Sequence, residues 1–472
     1  FRKLDEWGFD AFAIPHGTSW GLYTPAGYTW DKGIAAKNDN PNYQTVVEVF
    51  SGHGNSEEYR SWRAVNYEDG QATCPEPTEE YEPCCWRAGE IIRSRCEDPS
   101  SSECDAKVIT ARSNFIAAGA AGHLTIPDAD PLEWRDCGQC TDCFEPAFSM
   151  RPGGSAQYML ARGDFDDPER PRHMTLGFIA SSDNHTARPG TGYKEFGRTR
   201  MTETRGPASE RWEKALWGDP GKELATESKS PVGLESEPAF RRLWFERQAS
   251  FFLTGGLVAA HTTDRSRDAI WNAIQARNVY GTSGPRILLW FDMVNAPDGE
   301  SPMGSELAFD KAPRFRVRAA GAFKQLPGCS EEVTASLGEE LLEHICAGEC
   351  YRPSDERLKI TRIEVVRIVR QDEPEEDVAA LIDDPFLSIP CEGEGDLCEV
   401  EFEDPEYASL DRNAVYYVRA IQEPTEVVNG AGIHCDEGRC ETCAAGYRAD
   451  PTDDCLSEDE ERAWSSPIYL TR

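Results

Sequence analysis

The chain contains no His-x-His pair and only eight histidines in 472 residues, so the placement of each histidine is informative. It has no apolar run approaching the roughly 18 residues needed to span a bilayer, and no signal peptide is visible. A helical membrane span is therefore excluded from the sequence reading. Basic residues are in short supply: 49 Lys and Arg stand against 84 Asp and Glu, for a net charge of −35. That deficit argues against a nucleic-acid partner, whose phosphates demand a positive footprint, and against anionic membrane surfaces. It suits a soluble protein in salty or extracellular surroundings. Internal repeats of 20 to 50 residues and long low-complexity tracts are also lacking.

Cysteine, by contrast, is abundant, with 17 residues gathered mostly in two regions. Reducing cytosol rarely tolerates so many, which predicts disulfides and an exported protein, periplasmic or extracellular. The odd count leaves one free thiol, one intermolecular bridge or one partner outside the chain. Cys137, Cys140 and Cys143 form a C-x2-C-x2-C run that could bind zinc as thiolates. No fourth ligand follows at short spacing, so disulfides are the expectation. The adjacent Cys84 and Cys85 are expected to pair with different partners. Cys435, Cys440, Cys443 and Cys455 would staple a loop too small for its own core.

Three apolar stretches read as strands: Asp10 to Pro15, Thr45 to Phe50 and Met174 to Ala180. Each ends in a loop holding a histidine: His16, His53 and His185. Near-continuous apolar strands predict a buried parallel sheet, and in parallel α/β folds function gathers in the loops after strand C-termini. A cysteine-rich insertion occupies about 68–165, with helical spacing from Arg87 to Ala118 broken near Pro99 to Ser102. Further helices are expected at Pro238 to Ala249 and Asp268 to Arg277, and a strand at Ile287 to Phe291. Beyond Pro297 the pattern becomes short strands between Pro-, Gly- and Asp-rich turns: Arg314 to Ala319, Lys359 to Arg370, Cys398 to Phe402, Ala414 to Gln422 and Ser466 to Leu470. That spacing suggests a β-sandwich-like domain over 297–472, with a stapled loop at 435–455, following a first unit over 1–296. The opening residues, Phe1 to Asp10, read as a helix end, a glycine stop and a strand, which predicts further chain upstream.

The chemistry-bearing residues follow from this placement. Neutral imidazole is the commonest transition-metal ligand, and Asp183 adds an oxygen donor two residues before His185, on the same side of an extended segment. The candidate metal ligands are thus His16, His53, Asp183 and His185. Glu48, just before the His53 loop, either orients a ligand or belongs to the core. Arg188, Lys194 and Arg286 are candidates for binding a substrate anion, Arg286 through bidentate contacts. His261 is read as helix-entry structure.

Ile14-Pro15-His16, Val47-Glu48-Val49 with His53, and Ser182-Asp183-Asn184-His185-Thr186 resemble the later motifs of the polymerase-and-histidinol-phosphatase (PHP) superfamily. The chain is more closely similar to an uncharacterised PHP-like family of exported bacterial proteins. The stretches Ser51 to Tyr59, Cys85 to Ile92, Arg151 to Tyr158, Ala269-Ile270-Trp271, Tyr280 to Gly284 and Arg462 to Tyr469 carry that match. The resemblance implies an α/β fold, a distorted (β/α)7 barrel with two or three divalent metals (Zn, Mn or Fe) at its C-terminal face. It places His16, His53, Asp183 and His185 on later ligands of that set. The early His-x-His motif of the family is absent, which implies an incomplete barrel, completed by an N-terminal fragment or a second chain. The implied function is a metal-dependent hydrolase, first a phosphoesterase using a metal-bound water that Glu48 could orient, acting on a small anionic phosphate-containing substrate. Two alternatives stand beside it: a non-catalytic binding or scaffold protein, and a metal-dependent hydrolase of an amide or lactone bond.

Overall fold

A computed structural model describes residues 2–21, 24–35, 38–129, 131–167, 171–183, 209, 211, 214, 224–238, 242, 255–346, 350–393, 395–430, 432, 435–436, 439–440 and 456–472. The architecture is mostly β, with few helices. The first sheet joins β1 (Val46–Ser51), β2 (Gly54–Asn55) and β3 (Gly177–Ala180) in the order β2-β1-β3. β1 and β3 run parallel, Val46 opposite Gly177 and Glu48 opposite Ile179. All six residues of β1 are buried, because it is covered on both faces.

The largest sheet is built from β4 (Leu257–Ala260), β5 (Val279–Thr282), β8 (Glu306–Ala308), β10 (Ile360–Val369), β11 (Ile382–Pro390), β13 (Ala414–Gln422), β14 (Arg462–Ser465) and β15 (Ile468–Thr471). β13 lies at its centre, paired with β10 on one side and with β14 and β15 on the other, and is buried at every position. A four-stranded antiparallel sheet, in the order β12-β9-β6-β7, faces it, formed by β6 (Leu288–Ala296), β7 (Gly299–Pro302), β9 (Arg314–Ala320) and β12 (Leu397–Glu403). Buried and part-exposed residues alternate along β6, as expected of a strand with one face on a core. Both of these larger sheets draw strands from either side of residue 297.

β13 divides its side chains between two cores. Tyr416, Val418 and Ala420 pack with Phe291, Phe315 and Phe402 of the four-stranded sheet. Val415 and Tyr417 face the other way, onto Val47, Val49, Phe178 and the short helix Ala156–Ala161. The result is three layers, with the parallel pair β1–β3 laid on the outer face of the large sheet.

This arrangement corrects the expected fold class. Among the described residues there is no (β/α)7 barrel and no closed barrel. Among the described strands only β1–β3 and β8–β15 pair in parallel. The apolar runs of β1 and β3 reflect burial on both sides, but the cover comes from Tyr417, Trp464 and Tyr469 of a mostly antiparallel sheet and not from repeated βα units. The segment Asp10 to Pro15 is not a strand either. It is tied to its neighbour by two backbone bonds, Ala13 N–H to the Tyr43 carbonyl at 2.8 Å and Glu48 N–H to the Pro15 carbonyl at 3.0 Å.

The cysteine-rich insertion is helical where its spacing says so. α1 (Cys84–Ser94) and α2 (Ser102–Ala118) pack around Ala88, Ile91, Ile92, Ala111 and Trp134. Ser101 caps α2 by accepting from the Cys104 N–H, in the break that Pro99 to Ser102 predicted. Four disulfides close this region: Cys74–Cys85, Cys84–Cys137, Cys96–Cys104 and Cys140–Cys143. Cys84 and Cys85 therefore do pair apart. Two more, Cys329–Cys350 and Cys391–Cys398, pin the later half. No described helix is long and apolar enough to cross a membrane. The helix expected at Pro238 to Ala249 lies almost wholly outside the described residues, as do Cys443 and Cys455 of the tail loop.

Candidate metal centre

The parallel pair delivers two of the predicted ligands to one place. β1 reverses into β2 through Gly52 and His53, with Ser51 paired to Gly54. Gly54 has φ +94°, and a Cβ there would lie 2.8 Å from the Ala147 nitrogen and 2.9 Å from the Glu145 carbonyl oxygen. Only glycine fits that turn. The turn is held down by Asn55 N–H to the Glu145 carbonyl at 2.8 Å and Ser56 N–H to the Val49 carbonyl at 2.7 Å. His53 is consequently buried, with 1% of its surface exposed, and its ring stacks on Trp20 with centroids 4.0 Å apart.

β3 ends beside it. The Ser181 N–H donates to the Phe50 carbonyl at 3.0 Å, and the Gly256 N–H to the Ser181 carbonyl at 2.7 Å, which pins the exit of β3 between two neighbours. Asp183 follows at φ +48°, a left-handed backbone that Asp tolerates better than most residues. Its carboxylate meets the Nε2 of His53 directly. His16, more exposed, completes the group, its ring 6.2 Å from that of His53. One ligand atom each from His16, His53 and Asp183 lie within 4.8 Å of one another. Two imidazole nitrogens and a carboxylate oxygen at this separation suit a first-row divalent ion, whose ligand bonds are about 2 Å long.

Glu48 sits beneath this group, with 7% of its surface exposed. It accepts a hydrogen bond from the Ser181 hydroxyl. Burial pushes its carboxyl above the ordinary range; the Ser181 hydroxyl and the charge of His16 pull the other way, and Asp183 adds to the rise.

A second polar assembly, which the sequence reading did not anticipate, anchors the same loop. Glu57, four residues beyond His53, is wholly buried. It accepts from Arg419 Nε at 2.8 Å, from the Tyr417 hydroxyl and from the Trp464 indole. Arg419 in turn holds Asp384 through both terminal nitrogens, each at 2.6 Å. Gln157 donates to Asp384 at 2.6 Å and to the Tyr417 oxygen at 2.8 Å, while its own carbonyl oxygen accepts from the Tyr59 N–H at 2.8 Å. Arg419 keeps Asp384 below the usual carboxylate range against the opposing effect of burial. Glu57, Gln157 and Trp464 fall in the stretches that carried the family resemblance, but no spacing rule joins them to Arg419.

The remaining candidates are distributed as follows. His185, Arg188 and Lys194 lie outside the described residues. Arg286 is exposed in the turn between β5 and β6 and is not part of the His16–His53–Asp183 group. His261 is structural, its Nε2 bonded to the Leu289 carbonyl at 2.9 Å. Cys137, Cys140 and Cys143 are all in disulfides, so their thiolate reading does not apply.

No curated protein and no solved structure matches the chain. A family model described as a protein of unknown function (DUF3604) matches residues 171–322, about a third of the chain, from just before β3, through Asp183, to just past β9.

Proposed function

We propose that this chain is a metal-dependent hydrolase, most closely a phosphoesterase, with His16, His53 and Asp183 holding a divalent ion such as Zn, Mn or Fe. The convergence of those three donor atoms within 4.8 Å carries the reading. A bound ion would polarise a phosphoryl oxygen and lower the pKa of water at the site. Three protein donors leave coordination positions for water or substrate, the pattern of catalytic and not of structural sites. Trp20 fixes the plane of the His53 ring, and the Ser181–Glu48 bond fixes the strand exit that carries Asp183. A second or third ion, which the PHP-like resemblance implies, would need donors beyond these three, His185 being the nearest in sequence. The motif resemblance supports phosphate esters over amides or lactones, and the disulfides support an exported protein.

The test is metal analysis of the purified protein, with hydrolysis of p-nitrophenyl phosphate in added Zn, Mn or Fe. At least one ion per chain, lost in His53→Ala and Asp183→Ala, is expected, together with turnover that follows metal content. Unchanged metal content in both variants would overturn the site. Metal-loaded protein that cleaves no phosphate ester would overturn the phosphoesterase reading.

A further inference from the structure

The helical insertion and the loops that precede it line a cavity of about 230 Å³ that the metal reading does not use. Val65, Phe115 and Ile116 supply apolar wall, and Cys84 and Cys85 contribute to it with their sulfurs locked in disulfides. Arg151 is the one charged residue of the lining. Its guanidinium donates only to main-chain carbonyls, those of Ser149 at 2.5 Å and Met150 at 3.3 Å. Its Nε is buried with no hydrogen-bond partner among the described residues, and no described carboxylate lies within ion-pair distance. Gly21 makes room for this side chain: a Cβ there would lie 2.5 Å from the Ser149 carbonyl and 3.0 Å from the Arg151 guanidinium.

A cation on the wall of an apolar cavity, without a counter-charge, is costly unless something anionic joins it. Guanidinium geometry matches a carboxylate through two parallel bonds. A single cation in a chain of net charge −35 suits a monoanion better than a phosphate dianion. The volume lies below the roughly 300 Å³ at which drug-sized pockets begin, so the ligand must be small. We infer that this cavity is a binding site for a small monocarboxylate with an aromatic or branched aliphatic body, its carboxylate on Arg151 and its body against Val65, Phe115 and Ile116. This site is independent of the metal centre.

Isothermal calorimetry of the full chain with 4-phenylbutyrate, beside the uncharged 4-phenylbutanol, tests it. EDTA in both experiments removes metal, so carboxylate coordination at His16, His53 and Asp183 cannot contribute. Phenylbutyrate is expected to bind at least about tenfold more tightly than the alcohol, the worth of a charge-assisted hydrogen bond. Arg151→Gln should abolish that preference, Arg151→Lys should retain part of it, and Ile116→Trp should remove binding of both compounds by filling the cavity. Thermal melts of each variant verify folding. Absence of phenylbutyrate binding, equal affinity for acid and alcohol, or a folded Arg151→Gln or Ile116→Trp protein that binds phenylbutyrate like the parent would each overturn the inference.

Discussion

The carboxylate of Glu57 and the guanidinium of Arg419 meet at 2.8 Å in a fully buried setting, though 362 positions separate them in sequence. One comes from the loop that carries His53, the other from the central strand of the large sheet. The pair joins the candidate metal centre to the main body of the protein.

Arg419 keeps the Asp384 carboxylate if Glu57 loses its charge, so the cost is that of the weakened charge-assisted hydrogen bonds to Glu57, about 1–3 kcal/mol. Glu57→Gln should therefore lower unfolding free energy by that order in denaturant titrations. Because the loop is re-anchored poorly, metal affinity should fall as well. A variant with parental stability would show that the pair carries no structural weight.

Gly54→Ala tests the turn more locally. The positive φ and the contact with the Ala147 backbone both oppose a methyl group. Destabilisation of at least about 1 kcal/mol is expected, together with weaker metal binding through displacement of His53. Alanine tolerated without loss of either would mean that the turn is not constrained as described.

Among the described residues, six disulfides use twelve of the chain's seventeen cysteines, so at most 17 − 12 = 5 thiols per chain should titrate in denatured, unreduced protein. Their weights should differ. Cys84–Cys137 closes a 53-residue separation and Cys140–Cys143 one of three. Loop entropy gives about 4 kcal/mol for the first and about 1.5 kcal/mol for the second. Melting of paired Cys→Ser variants should show that order, and the reverse order would contradict it.

Acid sensitivity has an identifiable contributor in His173. Burial first, then the charge of Arg370, pushes its imidazole down to about 4, while its Nε2 bonds to the Gln371 carbonyl at 2.9 Å. The unfolded chain takes up a proton at its ordinary value of 6.5, and the folded chain does so only near 4. Folding stability from this residue is thus whole above pH 6.5 and declines as pH falls from 6.5 to about 4, by about 3 kcal/mol. His173→Gln should flatten that part of the stability curve, and an unchanged slope would count against the assignment.

Local patterns were legible in the sequence, and distant ones were not. Turn-rich boundaries around Arg314 to Ala319 and Ala414 to Gln422 marked strands that form as expected. Strand-end placement pointed to His16, His53 and Asp183, which the structure brings together. The barrel came from the family resemblance, and the strands did not correct it, because an apolar run such as Val46 to Phe50 reports that both faces are covered, not by what. Its cover comes from Tyr417 and Trp464, more than 360 residues away. Asp10 to Pro15 looked like a strand because apolar residues that lean on a neighbour through two bonds have the same composition as residues that join a sheet.

The two faces of β13 carry different polar partners. Tyr417 and Arg419 reach Glu57 on one side, while Tyr416 donates to Asp404 at 2.6 Å on the other. A slip of the central strand by one residue would turn every side chain to the opposite face. Apolar neighbours such as Val415 and Val418 could be exchanged at modest cost, but the slip would set Val418 or Ala420 in the place of Arg419 and leave Glu57 and Asp384 buried without their shared cation. The buried charges thereby act as a proofreading device for strand register, and the loop bearing His53 inherits its position from the same check.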